Sequence, residues 1–146
     1  TVKTAREYPT VKSLNYIGAI VAMKEADAAG AIEAVYLDAN DNLTEATRCN
    51  FVGVKGNTLI TAAENVLDGI TRNVVITLAA EQPNLEIEMR SLPYAEIEQL
   101  DEAFITSSTK EVMPVTIIDD LTVGTGRPGP VTNQLHDLFR TYADSI

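Results

Sequence analysis

Leu14, Ile17, Val21 and Ala28 fall on helical spacing in an alanine-rich stretch, which predicts a first helix with Ser13 as its cap and Gly30 as its stop. Glu33 to Asp38, "EAVYLD", reads as a short strand, and "DANDN" after it is a turn cluster leading to "LTEA". Phe51 to Val54 and Thr58 to Thr61 flank "KGN", the composition of a tight hairpin. Ile70, Val74, Val75 and Leu78 then predict a second helix from "DGIT" to the break at Pro83. Leu85 to Leu92 alternates like a half-exposed strand, and "SLP" opens a helix over "YAEIEQL". "EAFIT" reads as a buried strand and Val112 to Ile118 as another. "GTGRPGP" is a loop stiffened by prolines, and Val131, Leu135, Leu138, Phe139 and Tyr142 define a final amphipathic helix. Strands and helices alternate, so the expectation is one mixed α/β domain whose sheet curls around a core.

A chain of 146 residues suits that single domain without staples. Hydrophobic residues at 45% and charged residues at 22% are the profile of a folding chain rather than a disordered one. The net charge of −10 and the lack of any Lys/Arg cluster argue against a nucleic-acid partner. Cys49 is the only cysteine, so an intrachain disulfide is impossible and a reducing, cytoplasmic setting is expected. No apolar run approaches a membrane span and no signal-peptide pattern opens the chain.

Chemistry concentrates in three loops and one lysine. In "DGITRN" a glycine permits close approach, helix-start N–H groups are free to donate and Thr71 adds a hydroxyl, which makes a phosphate site; Asp68 or Thr71 capping the helix is the plainer explanation. In "TSSTKE" the hydroxyls of Thr106, Ser107, Ser108 and Thr109 can converge on an oxyanion or phosphate, or simply build a turn. In "TEATRCN" Glu45 sits among strand-like residues, where a carboxylate is costly to bury without a cationic partner; a solvent-facing strand glutamate is the alternative. Lys12 lies between an extended apolar run and the first helix. A lysine, a carboxylate and two phosphate-type loops are the parts a pyridoxal phosphate enzyme needs.

With these motifs in order, "REYPTVKSLNYIGAI", "VYLDANDNLTEATRCNFVGVKGNTLIT", "VLDGITR", "DEAFITSSTKEVMPV" and "GTGRPGPVT" resemble the class IV aminotransferases of pyridoxal phosphate fold type IV. That family includes branched-chain aminotransferases, D-amino-acid aminotransferases and aminodeoxychorismate lyases. The resemblance implies a sheet curled into a pseudo-barrel with packed helices, pyridoxal 5'-phosphate as cofactor, no metal, and transamination between an amino acid and a 2-keto acid. Lys12 matches the Schiff-base lysine, whose neutral amine attacks and then carries a proton. Glu45 matches the pyridine-nitrogen partner, and Tyr16 resembles a tyrosine near the cofactor's phenolic oxygen. Ile70 and Thr71 match helix-start phosphate contacts, and Leu67 matches a residue packed on the ring. Ser107 and Ser108 fall on the second phosphate loop. Thr109 matches a position whose backbone N–H faces the substrate carboxylate.

Departures from the pattern leave substrate open. "GRPGPVT" leans toward the branched-chain group, whereas "TSST" resembles the D-amino-acid group. Arg48 either binds a second substrate carboxylate or pairs with Glu33 or Asp38 on the surface. Cys49 reads as a packed residue, Lys110 as exposed and His136 as solvated beside the stripe of the last helix. Residues 1–146 are expected to be the large cofactor-binding domain, without the family's smaller N-terminal domain. The chain then is a fragment, a cleavage product or half of a split enzyme, completed by an N-terminal domain or second chain and by homodimer formation. The rival expectation is a binding-only domain, inactive without that other half.

Overall fold

The computed structural model describes residues 1–4 and 6–146. Two short strands and four longer ones follow the chain across the sheet: β1 (Val2–Lys3), β2 (Val35–Leu37), β3 (Asn42–Ala46), β4 (Asn50–Lys55), β5 (Thr58–Thr61) and β6 (Glu86–Met89) are neighbours in that order. β7 (Leu92–Pro93) joins β3, while β8 (Glu102–Ser107) runs antiparallel along β4 and carries β9 (Glu111–Pro114) on its other edge. β10 (Ile117–Ile118) and β11 (Leu121–Thr122) form a separate hairpin. Helices α1 (Ile17–Ala28), α2 (Ile70–Ala80) and α3 (Pro130–Ala143) pack on this frame. The architecture is mixed α/β, and the nine-stranded sheet is open: no strand closes it into a barrel among the described residues.

Period-two alternation divides β4 and β8 between two cores. Val52, Val54 and Phe104 face Val75 and Ala79 of α2 and Val131 and Leu135 of α3. Phe51, Ala103 and Ile105 face Leu43, Ile60, Leu92 and Ile97 on the opposite side. α2 forms the crossover between parallel strands β5 and β6, so its N-terminus lies beyond the end of β5. The β4–β5 hairpin forms as expected around Gly56, which takes a left-handed φ of 58°.

Three elements differ from the sequence expectation. α1 starts after Tyr16, not at Ser13, and its buried face is Ala22 and Ala26 against Ala34 and Tyr36. Leu14, Ile17 and Val21 of the expected stripe are exposed, because only alanines let this helix lie close to β2. The segment 112–118 is two strands: β9 ends at Pro114, one further bond runs from the Val115 N–H to Ala103 O at 2.7 Å, and β10 starts at Ile117. "YAEIEQ" is a 3₁₀ helix over Tyr94–Gln99.

Candidate functional site

β3 meets β4 through one register pair, Glu45 opposite Asn50, and the candidate site is built around that pair. Glu45 is buried. Its Oε2 accepts the Leu67 N–H at 3.0 Å, and its Oε1 accepts from Arg6 Nη1 at 3.0 Å. The cation that a buried carboxylate requires is thus an arginine from the N-terminal segment. Burial pushes the Glu45 carboxyl above the ordinary range, and the Leu67 N–H with the Arg6 and Arg72 charges pulls it part of the way back.

Asn50 holds the same neighbour from the other side: its Nδ2 donates to Leu67 O at 2.7 Å. Leu67 opens the turn into α2. Gly69 is the N-cap of that helix, and no side chain caps it, so the first N–H groups of α2 have no side-chain acceptor. Asp68, one of the two expected caps, instead accepts from Asn73 Nδ2 at 2.8 Å. A Cβ on Gly69 would lie 2.0 Å from Asn50 Oδ1, so glycine is required by this approach. Ile70 is exposed and Thr71 is buried at the start of the helix.

Asn50 also stands opposite Thr106 of β8, which brings the hydroxyl-rich turn to the same end of the sheet. Thr106 Oγ1 is a buried hydroxyl without a partner among the described residues. Ser107 Oγ accepts the Lys110 N–H at 3.1 Å and closes the turn, leaving Ser108 and Thr109 exposed at its tip. Lys110 is not the exposed residue its position suggests: its Nζ donates to Glu33 Oε2 at 2.7 Å. Glu33 is therefore taken, and Asp38 accepts from Asn40 and Asn42, so neither pairs with Arg48. His136 is 40% exposed and lies 3.4 Å from Glu111.

Lys12 is exposed and has no ion-pair partner among the described residues. Arg6 ties its segment to Glu45, because Nη2 of the same guanidinium donates to Val11 O at 2.8 Å. Tyr16, at the start of α1, and Arg48, after β3, line an open cavity of about 560 Å³ with Ile20, Met23 and Thr47. A second hollow of about 270 Å³ beside Asp38 and Arg90 contains none of the sequence-predicted residues. Glu45, Leu67, Ile70 and Thr71 are thus adjoining, Ser107 to Thr109 lie at the same sheet end, and Tyr16 with Arg48 occupies the neighbouring cavity.

The family model described as amino-transferase class IV matches residues 2–118. The chain belongs to the class IV aminotransferases. It is 37% identical over 131 residues to a D-alanine aminotransferase of Listeria innocua, covering 88% of this chain and 45% of that protein. It is 36% identical to a probable branched-chain-amino-acid aminotransferase of Aquifex aeolicus, covering 85% of this chain and 40% of the relative. The crystal structure of the branched-chain amino acid aminotransferase from Thermobaculum terrenum in its PLP form superposes with a TM-score of 0.89 at 34% identity, covering 94% of this chain and 46% of that one. This class IV aminotransferase chain therefore spans less than half the length of the relatives it matches.

Four residues of this class IV aminotransferase chain escaped the sequence reading. Arg6 and Glu33 lie in irregular segments, where charge has no periodicity to betray burial. Asn50 is the polar first residue of a strand whose next four residues are apolar, which was the one available signal. Arg72 is buried, with Nη2 donating to Ala62 O at 2.6 Å, and nothing in "GITRN" distinguishes it from a solvated helix arginine.

Proposed function

We propose that this chain is the cofactor-binding part of a pyridoxal 5'-phosphate-dependent aminotransferase acting between an amino acid and a 2-keto acid. The observation that carries the reading is Glu45, a buried carboxylate whose hydrogen bonds join it to the α2 turn and, through Arg6, to the segment bearing Lys12. The donor set suits a phosphorylated pyridine aldehyde: an uncapped helix start and a hydroxyl-tipped turn for the phosphate, an amine for the aldehyde and a carboxylate for the ring nitrogen.

In this reading Lys12 Nζ is the covalent attachment point and the carrier of the proton at the substrate's alpha carbon. When bound, the cofactor supplies an electron sink for that carbon. Glu45 holds a proton at the ring nitrogen; Leu67 packs on the ring and Tyr16 approaches its phenolic oxygen. Ile70, Thr71, Ser107 and Ser108 hold the phosphate. The Thr109 N–H and the Arg48 guanidinium face substrate carboxylates.

A branched-chain amino acid is the leading substrate, supported by "GRPGPVT" and by the branched-chain neighbours in structure. A D-amino acid is the second reading, favoured by "TSST" and by the D-alanine relatives. The remaining part of the enzyme, an N-terminal domain or a second chain, would cover exposed apolar residues such as Leu14, Ile17, Val21 and Ile32, and a homodimer is the expected assembly. The single, buried Cys49 suits a reducing cytoplasm.

The test is reduction with borohydride in the presence of pyridoxal 5'-phosphate, followed by peptide mapping. Label on Lys12, lost in Lys12→Ala, supports the reading; no label, or label spread over surface lysines, overturns it. Product assays with leucine and D-alanine then separate the two substrates.

A further inference from the structure

Glu33 is a buried titratable group with no place in the chemistry above. Its side chain is 6% exposed, between α1 and β2. Oε2 accepts from Lys110 Nζ at 2.7 Å and from Cys49 Sγ at 3.7 Å; Oε1 accepts from Thr47 Oγ1 and from the Ala34 N–H at 3.2 Å. One carboxylate thus joins three segments: its own, the loop that follows Glu45, and the turn that presents Ser108 and Thr109. Lys110 makes both ends of that last connection. Its backbone N–H closes the turn on Ser107 Oγ, and its ammonium anchors the turn to Glu33.

We infer that Glu33 and Lys110 are positioning residues that hold the hydroxyl turn of residues 107–110 in place, so that their contribution is to recognition of the cofactor's phosphate. The inference rests on the cofactor reading above. The other ties are at the base of the turn or weak: the β8–β9 ladder ends at Ser107 opposite Glu111, Glu111 pairs with Arg140 at 3.1 Å, Ser108 and Thr109 are exposed, and the Ser107–Thr109 hydroxyl contact is 3.4 Å. The Lys110–Glu33 bond, by contrast, is charge-assisted and largely shielded from water, the setting in which such bonds are strongest and most directional. Freed from Glu33, the turn keeps its closing hydrogen bond and the β8–β9 ladder at its base, but loses the anchor of its tip toward the loop that follows Glu45.

The discriminating pair of probes is pyridoxal 5'-phosphate and pyridoxal, which share the aldehyde and differ by the phosphate. Borohydride labelling of Lys12 is titrated with each, in the wild type, Lys110→Met, Glu33→Gln and the double variant. The half-saturation concentration for pyridoxal phosphate is expected to rise about tenfold in each single variant, that for pyridoxal to stay unchanged, and the double variant to be no worse than either single. Lys110→Arg, which keeps the cation, is expected to retain most of the phosphate preference. Amide exchange at residues 108–110, measured without any cofactor, should quicken in Lys110→Met. Equal shifts for both probes, or none for either, overturn the positioning role while leaving the cofactor reading intact. A wild type that takes no label on Lys12 overturns the cofactor reading, and this inference with it.

Discussion

Glu45 and Asn50, partners across the β3–β4 register, grip one residue between them: Glu45 accepts the N–H of Leu67 and Asn50 donates to its C=O. The turn into α2 is therefore fixed from the sheet and not by a cap of its own. Gly69→Ala drives a Cβ onto Asn50 Oδ1, 2.0 Å away, and must displace either the amide or the turn. We expect a destabilisation of about 1–3 kcal/mol, measured by urea unfolding, with weakened labelling of Lys12. Asn50→Ala combined with Gly69→Ala should cost less than the sum of the two singles, since it removes the clashing atom.

The N-terminus of α3 shows the same device in a purely structural place. Glu102 accepts the N–H groups of Val131 and Thr132 at 2.9 and 2.7 Å from inside the protein. A Cβ on Gly129 would lie 2.0 Å from Glu102 Cδ. Glu102→Ala leaves two buried donors unpaired and is expected to cost about 2–4 kcal/mol in chemical denaturation. The ratio of phosphate-dependent to phosphate-independent labelling at Lys12 should not change, because α3 takes no part in the phosphate contacts.

Acid stability should carry the signature of Glu33. Burial alone would raise its carboxyl, but the Lys110 hydrogen bond, the Thr47 hydroxyl, the Lys110 charge and the Ala34 N–H together hold it below the ordinary value. A carboxyl that titrates lower in the folded than in the unfolded chain stabilises the fold above the ordinary carboxylate range. That contribution fades as pH falls through the lowered value. Thermal melting across this acidic window should show Tm dropping more steeply in the wild type than in Glu33→Gln. Parallel curves would contradict it.

Arg48 is exposed and free of the surface pairings open to it, so its removal should leave stability within about 0.5 kcal/mol of wild type. In the assembled enzyme Arg48→Ala should raise KM for a dicarboxylic 2-keto acid about fivefold, with little change for a branched-chain keto acid. Unchanged kinetics with both acids would remove Arg48 from the substrate site.

Much of the frame was legible because its signals are local. The "KGN" hairpin, α2 and α3 follow from turn chemistry and helical periodicity, and the proposed roles of Lys12, Glu45 and the two phosphate-type loops come from the family resemblance that the motif order carries. The failures share a physical cause, long-range context. The start of α1 was misplaced because its apolar residues face outward while alanines make the contact. β7 is only two residues long and takes its ladder from β3, far earlier in the chain, so "LP" shows little strand pattern. Lys110 was read as solvated because its acceptor, Glu33, is 77 residues away.

The sheet's hydrogen-bond ladder narrows to a single rung where Glu45 faces Asn50, with β1, β2 and β7 reached on one side and β5, β6, β8 and β9 on the other. The seam of the fold and the proposed site are the same place. A ligand that gripped Glu45 and the α2 turn at once, as the proposed cofactor would, would act there as a rivet, a cross-brace where the ladder is thinnest. Occupancy and folding are then two readings of one equilibrium, and the chain should be most cooperative when the site is filled.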